Sequence, residues 1–181
     1  MKGKLANAVG YQTVWLISIA GAGRGSAIAG PLVASAFVVL VLAFGGKHRA
    51  DLRLIPLALL AGLLIDSAWI GMGWLHYSAP WPSAQFAPAW IIGIWVSFVL
   101  TLNHSFAFLK GRYGLAAVFG AVGGPLAYWG ASRGLGAVHF DAPAASVLIG
   151  LGTVWTAMIP LLVRFAEPHQ PQLQRTRADR P

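Results

Sequence analysis

Cysteine is absent from this chain of 181 residues, and charged residues are scarce. Without cysteine, the chain can form no disulfide framework, no thiolate metal site and no thiol nucleophile. Charged residues make up 10% of the sequence, against about 25% in soluble proteins, whereas 57% of the residues are hydrophobic. So few charges cannot cover the surface of a soluble domain, and so many apolar residues exclude a disordered chain. The composition therefore predicts an integral membrane protein.

Long apolar stretches dominate the sequence. A helix needs about 20 mostly apolar residues to cross the hydrocarbon of a bilayer, whereas the strands of a membrane barrel are shorter and alternate in polarity. Six stretches have the helical length, and they cover residues 5–22, 26–44, 54–75, 87–109, 114–135 and 144–163. The sequence therefore predicts an all-α polytopic bundle of six transmembrane helices within residues 1–165.

Lysine and arginine divide unequally between the two sides of this predicted bundle. Eleven of the 13 basic residues fall on the side of both termini, and only Arg24 and Arg133 fall on the other. Because cytoplasmic loops carry the excess of basic residues, we predict that both termini are cytoplasmic. The net charge of +8 reflects this orientation, and no nucleic-acid partner is expected. Residues 166–181 are rich in Pro, Gln and Arg, which predicts a disordered basic cytoplasmic tail.

Asp66 is the only acidic residue well inside a predicted span. It lies about 18 Å from the cytoplasmic start of its helix, which places it near the middle of the membrane. An ionised carboxylate at that depth costs about 2.5–3.5 kcal/mol, so we expect Asp66 to be protonated or hydrogen-bonded. Trp95, Tyr128 and Thr153 are predicted at the same depth, and each can donate a hydrogen bond. The alternatives are a catalytic or proton-transferring group and a neutral side chain that only links helices.

A polar stripe follows one face of the fourth predicted span at intervals of three and four residues. Its members are Gly93, Ser97, Thr101 and then His104 or Ser105. Because polar groups are costly against lipid, we expect this stripe to face protein. Near its cytoplasmic end, Gln12, Asn103 and His104 are predicted at a similar depth and could form a pocket in which His104 transfers a proton. Simple solvation of His104, or a hydrogen bond to a backbone carbonyl, is the alternative.

Tryptophans and glycines predict how the helices pack. Eight tryptophans are present, and some lie deeper than an interfacial aromatic belt requires. The deep ones are Trp15, Trp69, Trp95 and Trp155. They are expected to line a cavity for an acyl chain or a flat apolar ligand, or else to fill the core. In the fifth span, the pairs Gly120–Gly124 and Gly130–Gly134 have the spacing of close helix contacts.

The predicted site combines these residues. Asp66 and His104 are the predicted catalytic residues. The predicted cavity-lining or binding residues are Gln12, Trp15, Trp69, Trp95, Thr101, Asn103, Tyr128 and Arg133.

Known cofactor motifs are missing. The sequence has no phosphate-binding loop, no nucleophile elbow and no His-Glu-x-x-His zinc motif. His76, His139 and Asp141 fall on the predicted outer side, but their spacing is not that of metal ligands. We therefore expect neither a metal nor a cofactor.

Three segments together resemble a known family. They are residues 90–105 with Thr101-Leu-Asn-His-Ser105, the run Gly123-Gly-Pro-Leu-Ala-Tyr-Trp129, and Asp66-Ser67. This pattern resembles the uncharacterised bacterial inner-membrane proteins grouped as domain of unknown function 2878, and the likeness extends over nearly the whole chain. The resemblance implies a small multi-pass protein of the bacterial cytoplasmic (inner) membrane. It brings no established reaction.

Three functions fit the sequence. The first is a protein or enzyme that handles or modifies a lipid or other apolar small-molecule substrate near Asp66. The second is a small carrier in which Asp66 binds a proton or a cation. The third is a non-catalytic accessory subunit that packs against a membrane-protein partner. Membrane lipids are expected to surround the protein in each case, and both enzymatic and non-enzymatic functions remain open.

Overall fold

Six α-helices make up most of the chain in a computed structural model that describes residues 2–167. Their bounds are Lys2–Gly23 (α1), Ala29–Phe44 (α2), His48–Gly71 (α3), Ala89–Val99 (α4), Tyr113–Leu135 (α5) and Ala144–Ala166 (α6). The predicted all-helical class is therefore confirmed. The predicted tail over 166–181 lies outside the described residues, apart from its first two positions.

Successive helices run in alternating directions, so the bundle has two distinct ends. At one end, the strands Leu75–Tyr77 (β1) and Val138–Phe140 (β2) pair antiparallel, with Leu75 opposite Phe140. We call this the hairpin end. The opposite end carries Lys47, before α3, and Lys110, before α5, and we call it the lysine end. The strands are an addition to the predicted architecture, and their pairing satisfies backbone groups of two neighbouring connections.

In the described part of the chain, three helical segments are long and apolar enough to cross a membrane. They are Arg49–Gly71, Tyr113–Leu135 and Ala144–Ala166. The helices α2 and α4 are apolar but shorter, and α1 has the length but carries Asn7, Gln12 and Thr13 among its apolar residues. Large apolar side chains such as Leu32 and Ile149 are exposed on the outside of the bundle. An exterior of this kind is what lipid contact requires.

The fourth predicted span is not one continuous helix. The sequence predicts a helix over 87–109, but α4 ends at Val99, and turns and a short 3-10 helix at Ala107–Leu109 follow. The Thr101 hydroxyl donates to the Phe98 carbonyl (2.6 Å), and such local bonds compete with helix continuation. The predicted polar stripe is therefore wrong as one helix face, because its members from Thr101 onward lie in the turns.

Glycines form sockets that receive indole rings. A Cβ on Gly124 would overlap the Trp155 ring of α6, and a Cβ on Gly120 would overlap the Trp155 backbone carbonyl, which confirms the predicted close contact at this pair. On α3, a Cβ on Gly62 would lie 2.7 Å from the Trp95 ring. The prediction for Gly134 is wrong, because nothing lies within 4 Å of a Cβ there. These sockets draw α3, α4, α5 and α6 together around stacked rings.

Candidate functional site

Asp66 of α3 is completely buried and accepts hydrogen bonds from three elements. The hydroxyls of Tyr77 on β1 and Tyr128 on α5 donate to its Oδ1, and Trp95 Nε1 of α4 donates to its Oδ2 (2.6 Å). We call these four residues the Asp66 cluster. Trp95 and Tyr128 are the donors that helix depth predicts. Thr153 was predicted with them but is exposed and donates to Ile149 of its own helix.

Neutral donors surround the Asp66 carboxyl group. Three hydrogen bonds satisfy most of its acceptor capacity, and no cation pairs with it within residues 2–167. Arg133, a predicted binding residue, is exposed near the hairpin end and makes no bond to Asp66. The cluster therefore links α4, α5 and the β1 strand to one buried acceptor on α3. Its partners are phenol and indole groups, whose rings extend away from the carboxyl group.

A cavity of about 350 Å³ lies between α1, α4 and α5, with α6 behind it. This volume falls in the usual range of small-molecule sites, which is roughly 300–1,000 Å³. Its wall is largely aromatic, with rings from Tyr11, Trp15, Trp90, Trp95, Phe98, Phe106, Phe119, Tyr128 and Trp155. Gln12 and Leu126 line the cavity and are also exposed at the bundle surface, so they form a rim between α1 and α5.

Four of the eight predicted binding residues lie in this wall. They are Gln12, Trp15, Trp95 and Tyr128. The other four, Trp69, Thr101, Asn103 and Arg133, lie elsewhere, and so do the predicted catalytic residues Asp66 and His104. Trp69 packs against Gly150 and Trp74 instead, because the glycine leaves room for its ring.

Trp95 and Tyr128 connect the cavity to the Asp66 cluster. Their polar atoms donate to Asp66, and both residues also line the cavity. The Trp95 ring also stacks on Trp155, with ring centres 4.6 Å apart and planes 15° apart. Asp66 therefore fixes two aromatic side chains of the wall without lining the cavity. The wall stays largely apolar because the Trp95 and Tyr128 polar atoms are bonded to Asp66 behind it.

A second buried carboxyl group, that of Asp51, lies in the first turn of α3 at the lysine end. Asn103 Nδ2 donates to its Oδ1 (2.8 Å), and His104 Nε2 donates to its Oδ2 (2.9 Å). Lys47 Nζ donates to the Asn103 carbonyl (2.6 Å), and Lys110 Nζ donates to Asn103 Oδ1 (2.5 Å). We call these five residues the Asp51 cluster.

Asp51 is not among the predicted site residues. The predicted third span begins at residue 54, whereas α3 begins at His48, so Asp51 is in the helix rather than in a loop. One signal was present, since an acidic residue in the first turn of a helix is favourable to the helix dipole. His104 and Asn103 are thus brought together as predicted, but around Asp51 rather than with Gln12.

Charges at the lysine end influence one another. Burial lowers the pKa of Lys110, the nearby Lys47 charge lowers it further, and Asp51 and Glu167 act in the opposite direction. Glu167 follows α6 and accepts hydrogen bonds from the Tyr113 hydroxyl (2.6 Å) and the Gly111 N–H (2.8 Å). The Tyr113 bond, followed by the Gly111 bond, lowers the pKa of Glu167. These contacts join the end of α6 to the start of α5.

Polar residues also meet at the hairpin end. His76 Nδ1 lies 2.9 Å from both carboxylate oxygens of Asp141, and the rings of His76 and His139 stack with centres 4.7 Å apart. All three side chains are exposed. In the part of the chain that the structure describes, no three His, Cys, Asp or Glu side chains are arranged to hold a metal ion.

A family model described as "Protein of unknown function (DUF2878)" matches residues 4–161. The chain belongs to this family. The resemblance seen in the sequence is thereby confirmed, and the match spans the whole cavity and both buried carboxyl clusters of this DUF2878 protein. No curated protein and no solved structure matches the chain. The family description states no reaction.

Proposed function

We propose that this DUF2878 protein is a multi-pass protein of the bacterial cytoplasmic membrane that binds an apolar chain, such as a lipid acyl chain, in its aromatic cavity. One observation carries the proposal. The cavity has its rim between α1 and α5, at Gln12 and Leu126, on a bundle exterior rich in exposed apolar side chains. An apolar chain can therefore pass from surrounding lipid into the cavity without crossing water.

The proposed topology has six membrane-crossing segments and both termini on the cytoplasmic side. Lys47, Lys110 and Arg112 at the lysine end support it, because cytoplasmic ends carry the basic excess. The fourth segment combines α4, about 16 Å long by the helical rise, with the turns that follow. Irregular backbone at membrane depth is tolerated when protein surrounds it, and residues 100–103 are buried.

Within this proposal, Asp66 is a positioning residue. Its carboxyl oxygens are taken by three donors, and it reaches the cavity only through Trp95 and Tyr128. The geometry supports binding of an apolar chain more directly than catalysis, because the predicted catalytic residues Asp66 and His104 do not line the cavity. Catalysis by either residue stays a prediction.

Filling the cavity tests the proposal. Gly123 lines the cavity, and a Cβ added there meets nothing within 4 Å, so Gly123→Leu should occupy the space without disturbing helix packing. Gly134 on the same helix also has open space but does not line the cavity, which makes Gly134→Leu the matched control.

The measurement is mass spectrometry of lipids that stay bound after purification in mild detergent. We expect the wild-type protein and Gly134→Leu to retain a lipid or another amphiphile with a long apolar chain, and Gly123→Leu to lose it. Equal retention by all three proteins would place the bound molecules on the exterior and refute the cavity proposal.

The same preparations separate the other two functions. A carrier would move protons or cations across liposomes, and Asp66→Asn would remove that flux. An accessory subunit would co-purify with one membrane enzyme and would tolerate Asp66→Asn. Neither function requires Gly123→Leu to change lipid retention.

A further inference from the structure

Two lysine side chains converge on one buried residue at the lysine end. Lys47 and Lys110 lie on different connections, yet their ammonium groups bond to the carbonyl and the side-chain oxygen of Asn103 (2.6 and 2.5 Å). Asn103 is 1% exposed, and its Nδ2 is fixed by Asp51. The two positive charges are therefore held close together by a rigid, buried support.

Among residues 2–167, both ammonium groups have hydrogen-bond donors without a partner. Each has three N–H groups and makes one hydrogen bond to the described residues. Within residues 2–167, Asp51 forms no ion pair with either lysine, and its two carboxylate oxygens accept from Asn103 and His104. Burial and then the neighbouring Lys47 charge lower the pKa of Lys110, whereas Asp51 and Glu167 raise it. An anion that bridges the two lysines would relieve the repulsion between them.

The surroundings of the pair indicate which anion reaches it. Phe44, Leu52 and Phe108 stand within a few positions of the cluster in sequence, and their side chains are 83%, 50% and 48% exposed. Exposed apolar side chains beside charged ones are typical of the level where lipid tails meet headgroups. A headgroup phosphate at that level would lie beside the lysines, whereas a soluble phosphate would gain nothing from the apolar residues.

We propose that Lys47 and Lys110 form a binding site for the phosphate group of an anionic phospholipid. Asn103 is the positioning residue that holds the two ammonium groups, and no covalent step is involved. The site is separate from the aromatic cavity, because neither lysine lines that cavity. Phospholipid binding at the two lysines can therefore be tested independently of the proposed binding of an apolar chain.

The test is a titration of the full-length protein with phosphatidylglycerol in phosphatidylcholine nanodiscs, with bound anionic lipid counted by native mass spectrometry. Near a membrane surface, each Lys or Arg contributes about 1 kcal/mol of attraction, which is about fivefold in affinity. We expect Lys47→Met and Lys110→Met each to weaken phosphatidylglycerol binding about fivefold, and the double variant about 25-fold. Lys110→Arg, which keeps the charge, should restore most of the binding.

The controls distinguish this site from general charge and from the cavity. Arg24→Gln and Arg133→Gln each remove one exposed charge at the hairpin end and should leave the titration unchanged. In a Gly123→Leu background, where the cavity is filled, the double lysine variant should weaken phosphatidylglycerol binding by the same factor as it does without that substitution. Wild-type binding by the double lysine variant would overturn the proposal. Displacement of phosphatidylglycerol by an equal concentration of inorganic phosphate would overturn the lipid assignment and indicate a soluble-anion site.

Discussion

Asp66 and Asp51 lie about 22 Å apart on the same helix by the helical rise, and both carboxyl groups are fully buried. Their partners differ. Asp66 accepts from two phenols and an indole, all of them neutral, whereas Asp51 accepts from an amide and an imidazole beside two lysines. A buried carboxyl group needs hydrogen bonds in both clusters. The kind of donor decides whether the cluster forms an apolar site or a charged one.

Two neutral aromatic donors of the Asp66 cluster also form part of the cavity wall. The rings of Trp95 and Tyr128 become part of the cavity wall, so satisfying Asp66 also shapes an apolar site. In the Asp51 cluster, Asp51 holds Asn103, and Asn103 accepts hydrogen bonds from the two lysine side chains. One helix, α3, therefore organises an apolar site at its middle and a charged site at its end.

Asp66→Ala should have the largest effect on the stability of the fold. It leaves three buried donors without an acceptor, and each unsatisfied group costs about 1–3 kcal/mol. We expect a loss of at least about 3 kcal/mol, measured as the free energy of unfolding in detergent with increasing denaturant. Asp141→Ala, at an exposed carboxylate of the hairpin end, should cost much less. Equal effects of the two substitutions would break the assignment of Asp66 as the central acceptor.

Asp51→Asn should have a smaller effect that depends on salt. The amide oxygen can still accept from Asn103, but the negative charge beside His104 and the lysines is lost, at a cost of about 1–3 kcal/mol. Because salt screens repulsion between partly exposed charges, added NaCl should restore part of this loss. Unfolding of Asp66→Asn should show no comparable salt effect, since its partners are neutral. The same salt response in both variants would contradict the contrast between the clusters.

Tyr77→Phe should cost about 1 kcal/mol, because it removes one of the donors to Asp66 and leaves the ring in place. The loss should loosen the β1–β2 pair more than the helices, since Tyr77 is the residue of β1 that bonds to Asp66. Hydrogen exchange of the strand amides, compared with that of the α5 amides, measures this difference. Unchanged exchange in the strands would separate the hairpin from the Asp66 cluster.

Glu167→Gln should have the smallest effect, and one that varies with pH. The folded-state pKa of Glu167 is lowered from its ordinary value of 4.5, so its contribution to stability is present above that value. The contribution is lost as the pH falls through the folded-state pKa. The difference in melting temperature between wild type and Glu167→Gln should therefore be present at pH 7 and shrink on acidification below pH 4.5. A difference that grows on acidification would contradict the bond to Tyr113.

Helix depth explains why part of the site could be predicted. The constant rise of a helix brings Trp95 and Tyr128 to the level of Asp66, and both residues bond to it. Tyr77 was not predicted because it lies outside the apolar spans. It belongs to a connection that packs back against the helices, and a connection of this kind has no periodic sequence pattern. Similarly, Gly120 and Gly124 show the spacing of a close contact, but the spacing does not name Trp155 as the partner.

Apolar composition alone could not locate where helices begin and end. Leu100 and Leu102 continue the apolar pattern of α4, yet the helix stops at Val99 because side chains beyond it bond to the backbone and to Asp51. The bond to Asp51 joins residues 52 positions apart in the sequence. Apolar composition also could not predict the burial of Asp51, because Asn103, which bonds to it, comes from a distant segment of the chain.

Tryptophan fluorescence with a bromine-labelled fatty acid tests the central claim most directly, because Trp15, Trp90, Trp95 and Trp155 line the cavity. Bromine quenches indole fluorescence only at short range. We expect quenching that saturates for the wild-type protein and for Gly134→Leu and that disappears for Gly123→Leu. Quenching of equal size in Gly123→Leu, without saturation, would come from exterior residues such as Trp81 and would contradict an acyl chain in the cavity.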